Sequence, residues 1–305
     1  MSRHFIRPLT TTLSARPFVK GILKLKRPAD IADAASRIMQ AEIHLAAMED
    51  RPTLKYKDYR STQYSEDGAR AELREQILLE LISESRLDKD DDIRLGQGGA
   101  MPKTPVQRGK QAFIVTGLPA SGKSGIANQI ADANGAVVLD NDYAKRKFPE
   151  FLQGAFGATV LHAESSIIIL DDEEEAPNLK GYCLSEDYNV VIPKIGYDAE
   201  SLRRLAVYFG KYGYAVHLTL VSLDRQQATL RAYHRFVESG RYVPLSLIFD
   251  VYSNNPTLVY FRLKQQHADL FASFGEVSTD DRVPHVVETL PGNPAELFRP
   301  PTQTM

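Results

Sequence analysis

Residues 111–142 read QAFIVTGLPASGKSGIANQIADANGAVVLDND, and this stretch decides the fold. An apolar run, Ala112 to Thr116, leads into Gly117-Leu118-Pro119-Ala120-Ser121-Gly122-Lys123-Ser124. Two glycines separated by four residues and followed by Lys and Ser form a phosphate-loop pattern. Glycine lets the backbone curl until successive N–H groups face one anion. A helix opening near Gly122 adds its positive end. Lys123 can reach β and γ phosphates, and the Ser124 hydroxyl can hold Mg²⁺. Gly117, Ser121, Gly122, Lys123 and Ser124 are therefore the candidate nucleotide-binding residues. The context agrees: Ile126, Ala127, Ile130 and Ala131 have helical spacing, and Ala136 to Leu139 reads as a second strand.

Downstream, Asp187 to Ile192 and Ala215 to Val221 read as strands. Asp198 to Tyr212 and Asp224 to Ser239 read as helices, the second capped by Asp224. Pro244 to Asn254 and Thr257 to Phe271 are further expected helices, and Phe274 to Val277 and His285 to Glu288 are short closing strands. Strands alternating with helices predict an α/β domain, residues 106–290, with a parallel sheet flanked by helices. Residues 291–305 are expected to be disordered.

Upstream, a small helical N-terminal unit is expected over residues 1–105. Residues 1–28 are basic before the first acid at Asp30. A targeting or nucleic-acid arm is one reading, but Phe5, Ile6, Phe18, Val19, Ile22 and Leu23 favour a strand or arm docked on the body. Pro28 to Asp50 and Ser65 to Arg86 read as helices, with Ser65 as cap of the second. The acid run Asp88 to Asp92, the glycines 96–99 and the prolines 102–105 read as a linker or exposed loop.

Composition narrows the class. With 43% hydrophobic and 25% charged residues the chain is expected to be a soluble globular protein. A net charge of −2 gives no argument for nucleic-acid binding. One cysteine, Cys183, leaves no intramolecular disulfide or Cys-rich metal site. No stretch suits a signal peptide or membrane span, and a cytoplasmic location is expected.

Three constellations carry chemistry. Asp142 sits at the end of the strand after the phosphate-loop helix, where a carboxylate could align an acceptor hydroxyl and take its proton. Asp140 is the alternative, on the same face if the strand continues, and both could simply end a strand. Arg231, Arg235 and Arg241 lie within LRAYHRFVESGRYVP. They suit a lid over transferring phosphate, or a solvated basic face. Ile167 to Asp172 could be a strand ending in an Mg²⁺-binding Asp, or part of a helix beginning near Ala158; the helix is the favoured reading.

Residues 110 to about 270 resemble the zeta toxin family of P-loop kinases, related in plan to chloramphenicol phosphotransferase. The matching pieces are GLPASGKS, VVLDND, KFPEF, HAESS, NVVIPKIGY and RAYHRFVESGRYVP. The resemblance implies transfer of the γ phosphate of ATP to a hydroxyl of UDP-N-acetylglucosamine by a toxin. It implies Asp142 as base, Lys123 and Ser124 on ATP and Mg²⁺, and Glu164 on the sugar. It also implies Arg235 (or Arg231) and Arg241 on phosphates. Where family members carry an acid-Gly-Thr segment, this chain has Pro193-Lys194-Ile195-Gly196-Tyr197. Lys194 would suit an acceptor with extra phosphate charge, such as a dinucleotide or ADP-ribose. An antibiotic or other small-molecule kinase, and a non-catalytic nucleotide-binding regulator, are the rival readings. The expected partners are a small-molecule substrate and an inhibitor, either the N-terminal unit itself or a separate antitoxin.

Overall fold

The computed structural model describes residues 7–48, 51–170 and 177–300. Residues 1–6, Glu49 and Asp50, Asp171 to Ala176 and the last five residues lie outside that set. By its contacts the chain divides into two compact units, one of residues 1–101, 139–182 and 232–251, the other of 102–138, 183–231 and 252–305.

The second unit holds the sheet. Its strands are β1 (Gln111–Thr116), β2 (Val137–Val138), β3 (Val190–Lys194), β4 (Ala215–Ser222), β5 (Ser273–Ser278) and β6 (His285–Thr289), in the order β2-β3-β1-β4-β5-β6. The first five are parallel, and β6 pairs antiparallel with β5. The sheet is thus mixed rather than wholly parallel. The reason is the connection: residues 279–284 are too few for the crossover a parallel partner needs. Central strands buried on both faces read as unbroken apolar runs, as Ile114, Val115 and Val190 to Ile192 do. Pro193 lies in the interior strand β3, but β2 pairs only as far as Val191, so at Pro193 the strand has a ladder partner on one side alone. Helix α4 (Lys123–Ala133) packs on β1, β2 and β3, while α9 (Ala199–Lys211) and α11 (Asn255–Gln266) pack on β4. Asp198 caps α9 and Asp224 caps α10 (Arg225–Ser239), as their positions predict.

The chain beyond residue 291 is not disordered as far as it is described. Pro294–Phe298 form a 3₁₀ turn with Ala295 and Phe298 buried. Buried Asn293 holds it: its Oδ1 accepts from Ala295 N and Thr219 Oγ1, each at 3.0 Å, and its Nδ2 donates to Leu218 O.

The first unit is helical. It contains α1 (Thr12–Gly21), α2 (Pro28–Met48), α3 (Asp67–Ser83), α5 (Asn141–Lys147), α6 (Gly157–Val160) and α7 (His162–Ile169). Helix α8 (Leu179–Ser185) and α10 each have residues in both units. Residues 12–21 are a helix capped by Thr11, in place of the expected strand or docked arm. Its buried Ala15, Phe18 and Val19 have helical spacing. Ser65 does not cap α3; its hydroxyl donates to Thr62 O, and α3 begins after Glu66. The ambiguous apolar run is the helix α7, and Asp171 and Asp172 fall outside the described residues. Pro244 to Asn254 forms a six-residue π-helical turn, Leu247–Tyr252, instead of an α-helix.

The supposed linker is folded back. Gly99 N donates to Ser85 O, Ala100 N to Leu81 O and Arg86 N to Met101 O, so residues 99–101 zip onto the end of α3. The N-terminal helices accordingly do not form a unit of their own but share one with α5, α6 and α7. Among the described residues no helix is long and apolar enough to cross a membrane.

Candidate active site

The phosphate loop links β1 to α4. Gly117 adopts a φ of 154°, Ala120 61° and Gly122 86°. The left-handed turns tilt successive N–H groups toward one side, the geometry of an anion nest. A Cβ on Gly117 would stand 2.5 Å from the Val221 carbonyl, so no side chain fits there. The Ser121 Oγ is buried without a hydrogen-bond partner among the described residues. Lys123 Nζ donates to Gly117 O and Leu118 O at 2.9 Å each, which holds the ammonium over the loop. Ser124 is exposed in the first turn of α4. A nest of amides, a cation above it and an exposed serine at the helix start could hold a nucleotide triphosphate, and Ser124 could hold Mg²⁺.

The end of β3 borders this loop. Lys194 pairs in register with Thr116, and Gly117 N donates to Ile195 O at 3.2 Å. Arg231 does not extend into solvent: its Nη2 donates to the Thr279 carbonyl at 2.6 Å.

Asp142 lies in the other unit. The strand stops at Val138, so Asp140 and Asp142 do not share a strand face. Asp140 is instead the cap of α5, its Oδ1 accepting from Asp142 N at 2.9 Å. This is what an Asp before a helix ordinarily does. Asp142, in the first turn of α5, is salt-bridged to Arg241 and to Lys145, the latter at 3.1 Å. Burial disfavours its charge, but Lys145, Arg241 and Arg146 outweigh that and hold the carboxyl well below the usual carboxylate range. Burial and the neighbouring Asp142 charge push Asp140 up. The pKa values of the two carboxylates are therefore driven in opposite directions, Asp142 down and Asp140 up. The Arg241 guanidinium lies 5.5 Å over the Phe151 ring, and its Nε and Nη1 are buried without partners.

The remaining candidates have other partners. Arg235 Nη2 donates to Asp91 Oδ1 at 2.8 Å, and Arg146 Nη2 donates to the same oxygen at 3.0 Å. Glu164 has no exposed surface. Arg70 of α3 reaches both of its oxygens and also bonds Glu150, while Arg74 adds a second ion pair to Glu164. Thr53 also donates to Glu164. The structure thus brings Asp142 and Arg241 together, and Arg231 to Thr279, but places Glu164 in a buried charge cluster with α3.

Arg146, Asp91, Arg70 and Thr279 escaped the sequence reading. Arg146 had a usable signal, since it stands four residues after Asp142 on one helix. Asp91 lay in an acid run with the composition of a linker, and Thr279 has no local mark at all.

A phosphate loop opening the first helix after the central strand of a largely parallel sheet, in a chain that also holds an ionised aspartate against an arginine, defines a P-loop kinase. The family model for zeta toxins matches residues 99–269. That is more than half of the 305 residues, and the chain belongs to the zeta toxin family.

Several solved structures are similar. One is from the PezAT chromosomal toxin–antitoxin system of Streptococcus pneumoniae, with 15% identity over 79% of this chain and 87% of that chain and a TM-score of 0.49. A second is the AvrRxo1-ORF1:AvrRxo1-ORF2 complex with sulphate ions, with 19% identity over 72% of this chain and 67% of that chain and a TM-score of 0.46. The same complex with ATP gives 15% identity over 96% and 76% at a TM-score of 0.42. No curated protein matches the chain.

Proposed function

We propose that this zeta toxin family kinase transfers the γ phosphate of ATP to a hydroxyl of a nucleotide-linked sugar of the UDP-N-acetylglucosamine kind. It acts as the toxin of a toxin–antitoxin pair, in the cytoplasm where both substrates occur. The observation that carries this reading is Asp142, a carboxylate kept ionised by Arg241 and Lys145 in a chain that also bears a phosphate loop. Binding a nucleotide needs the loop alone; an ionised carboxylate against an arginine suits transfer to a hydroxyl.

In this scheme the loop amides and Lys123 hold the phosphates. Ser124 would hold Mg²⁺, which would neutralise phosphate charge. Asp142 orients the acceptor hydroxyl and accepts its proton. Arg241, whose Nε and Nη1 are buried without partners among the described residues, meets the charge on the transferring group. Arg235 is tied to Asp91 of the N-terminal region, which restrains the enzyme by occupying a lid arginine. A separate antitoxin is a second source of restraint.

Lys194 favours one alternative acceptor. A cation at the end of β3, next to the loop, suits a dinucleotide or ADP-ribose with more phosphate charge than a sugar nucleotide. One experiment separates the two. The protein is incubated with ATP, Mg²⁺ and a mixture of UDP-sugars, dinucleotides and ADP-ribose, and products are read by mass spectrometry. A UDP-sugar gaining one phosphate supports the first reading, and a dinucleotide or ADP-ribose gaining it supports the second. No gain on any acceptor, with ATP intact, overturns both.

A further inference from the structure

We infer that Thr279 and Arg231 are positioning residues that aim a phosphate-loop amide, an inference that rests on the kinase reading. Thr279 follows β5 directly and is buried. Its Oγ1 donates to the Ser121 carbonyl at 2.6 Å. Its own N–H donates to Ser222 O at 3.2 Å, tying it to the end of β4. Its carbonyl accepts from Arg231 Nη2 at 2.6 Å. Thr279 is therefore held on two sides by the scaffold and presents one donor to the loop.

That donor acts on a peptide plane. In a trans peptide the carbonyl and the following N–H point in opposite directions. Fixing the Ser121 carbonyl on Thr279 aims the Gly122 N–H the other way, toward the nest. Gly122, at a φ of 86°, has no side chain to restrict it, and Thr279 Cγ2 would stand 3.5 Å from a Cβ placed there. The hydroxyl bond thus supplies an orientation that glycine leaves free. Arg231 then serves the nucleotide through Thr279, not by direct contact, which replaces the direct role its position in the sequence suggests.

The test compares ADP with adenosine, measured by calorimetry on the full chain and three variants. Thr279→Val keeps the shape and removes the donor; Thr279→Ser keeps the donor; Arg231→Met removes the strut. Thr279→Val is expected to weaken ADP binding about tenfold, the scale of one hydrogen bond to a charged group. Adenosine, which has no phosphate, should bind as to the wild type. Thr279→Ser should restore ADP affinity, and Arg231→Met should show the same phosphate-selective loss as Thr279→Val. A purely structural role would weaken ADP and adenosine alike. An equal loss of both ligands, or unchanged ADP binding in Thr279→Val, overturns the inference. If Thr279→Val does not fold, unchanged ADP binding by Arg231→Met overturns it. Wild-type protein that binds no ADP would instead remove the kinase reading beneath it.

Discussion

Lys123 and Asp142 carry opposite halves of the proposed chemistry, and each makes its own prediction. Lys123 is half-buried, and its ammonium donates to the loop carbonyls of Gly117 and Leu118. Lys123→Ala should leave the melting temperature unchanged and lower phosphoryl transfer by a factor on the order of a hundred to a thousand, as for loss of one transition-state donor. Steady-state turnover against thermal melting checks it; wild-type turnover removes the assignment of this loop. Asp142→Asn keeps size and one acceptor but cannot take a proton. It also leaves Arg241 and Lys145 without their counter-charge. Transfer should fall by roughly a hundredfold or more while ADP still binds. A larger loss in Asp140→Asn would move the base to Asp140, against its role as helix cap.

At the scale of elements, two buried groups decide how strands and helices hold. His217 on β4 lies between β1 and β5. Its Nδ1 is 2.7 Å from Ser273 Oγ, its Nε2 2.8 Å from Gln111 Oε1, and its ring stacks on Phe113 at 5.1 Å. The Gln111 amide nitrogen donates to Gly109 O, so its oxygen faces the ring, accepting from Nε2–H. A neutral imidazole satisfies both contacts. Burial lowers its pKa to about 4. The unfolded chain therefore binds a proton that the folded chain does not between the ordinary value, about 6.5, and 4. Stability should fall as pH drops through that window, by a few kcal/mol at most. His217→Gln should flatten this part of the curve, read by denaturant unfolding from pH 4 to 7. An equally steep curve in the variant would place the titration elsewhere.

The second group is Arg70. It and the carboxylates of Glu150 and Glu164 are wholly buried, and the Arg70 guanidinium also stacks 4.5 Å over Phe148. With Arg74 the cluster balances two positive against two negative charges. Arg70→Ala would leave buried Glu150 without its guanidinium and Glu164 with Arg74 as its ion-pair partner, and should cost about 3–5 kcal/mol. Equilibrium unfolding in urea measures it, and a cost under one kcal/mol would show that water relieves the cluster.

The whole molecule depends on the same contacts. Acids of the N-terminal region meet the basic end of α5 in turn: Asp91 takes Arg146, and Glu80 takes the buried Lys147 at 2.6 Å. Tyr143 donates to Asp90 and Tyr242 to Glu42. Removing residues 1–101 would strip partners from Glu150, Glu164 and Lys147 at once. The truncated chain is therefore expected to aggregate rather than gain activity. Restraint by the N-terminal region is better tested by Asp91→Asn, which frees Arg235 and Arg146 without opening the core. Asp91 is largely exposed, so the rise in turnover should be only a few fold. Gel filtration of the truncation and turnover of the point variant check the pair. A soluble, active truncation would show the helices to be dispensable, and unchanged turnover in Asp91→Asn would remove the restraint.

Local signals were enough for the phosphate loop, the alternating strands and helices, and the caps at Asp198 and Asp224. Each depends on spacing or on one residue's side chain reaching its own backbone, so neighbours in sequence carry the information. The carboxylate–arginine pairing was half legible: Asp142 and Arg241 were both candidates, but their ion pair joins residues 99 positions apart. The antiparallel turn of β6 was hidden because strand direction follows from the length of a link and the free edge it can reach. Arg70 in its cluster, Asp91 on the lid arginine and Thr279 on the loop carbonyl were not legible at all. An arginine on an amphipathic helix, an aspartate in an acid run and a threonine after a strand look like surface residues. Only folding decides which carboxylate, guanidinium or carbonyl is brought to them, because burial and charge pairing are set by distant segments of the chain.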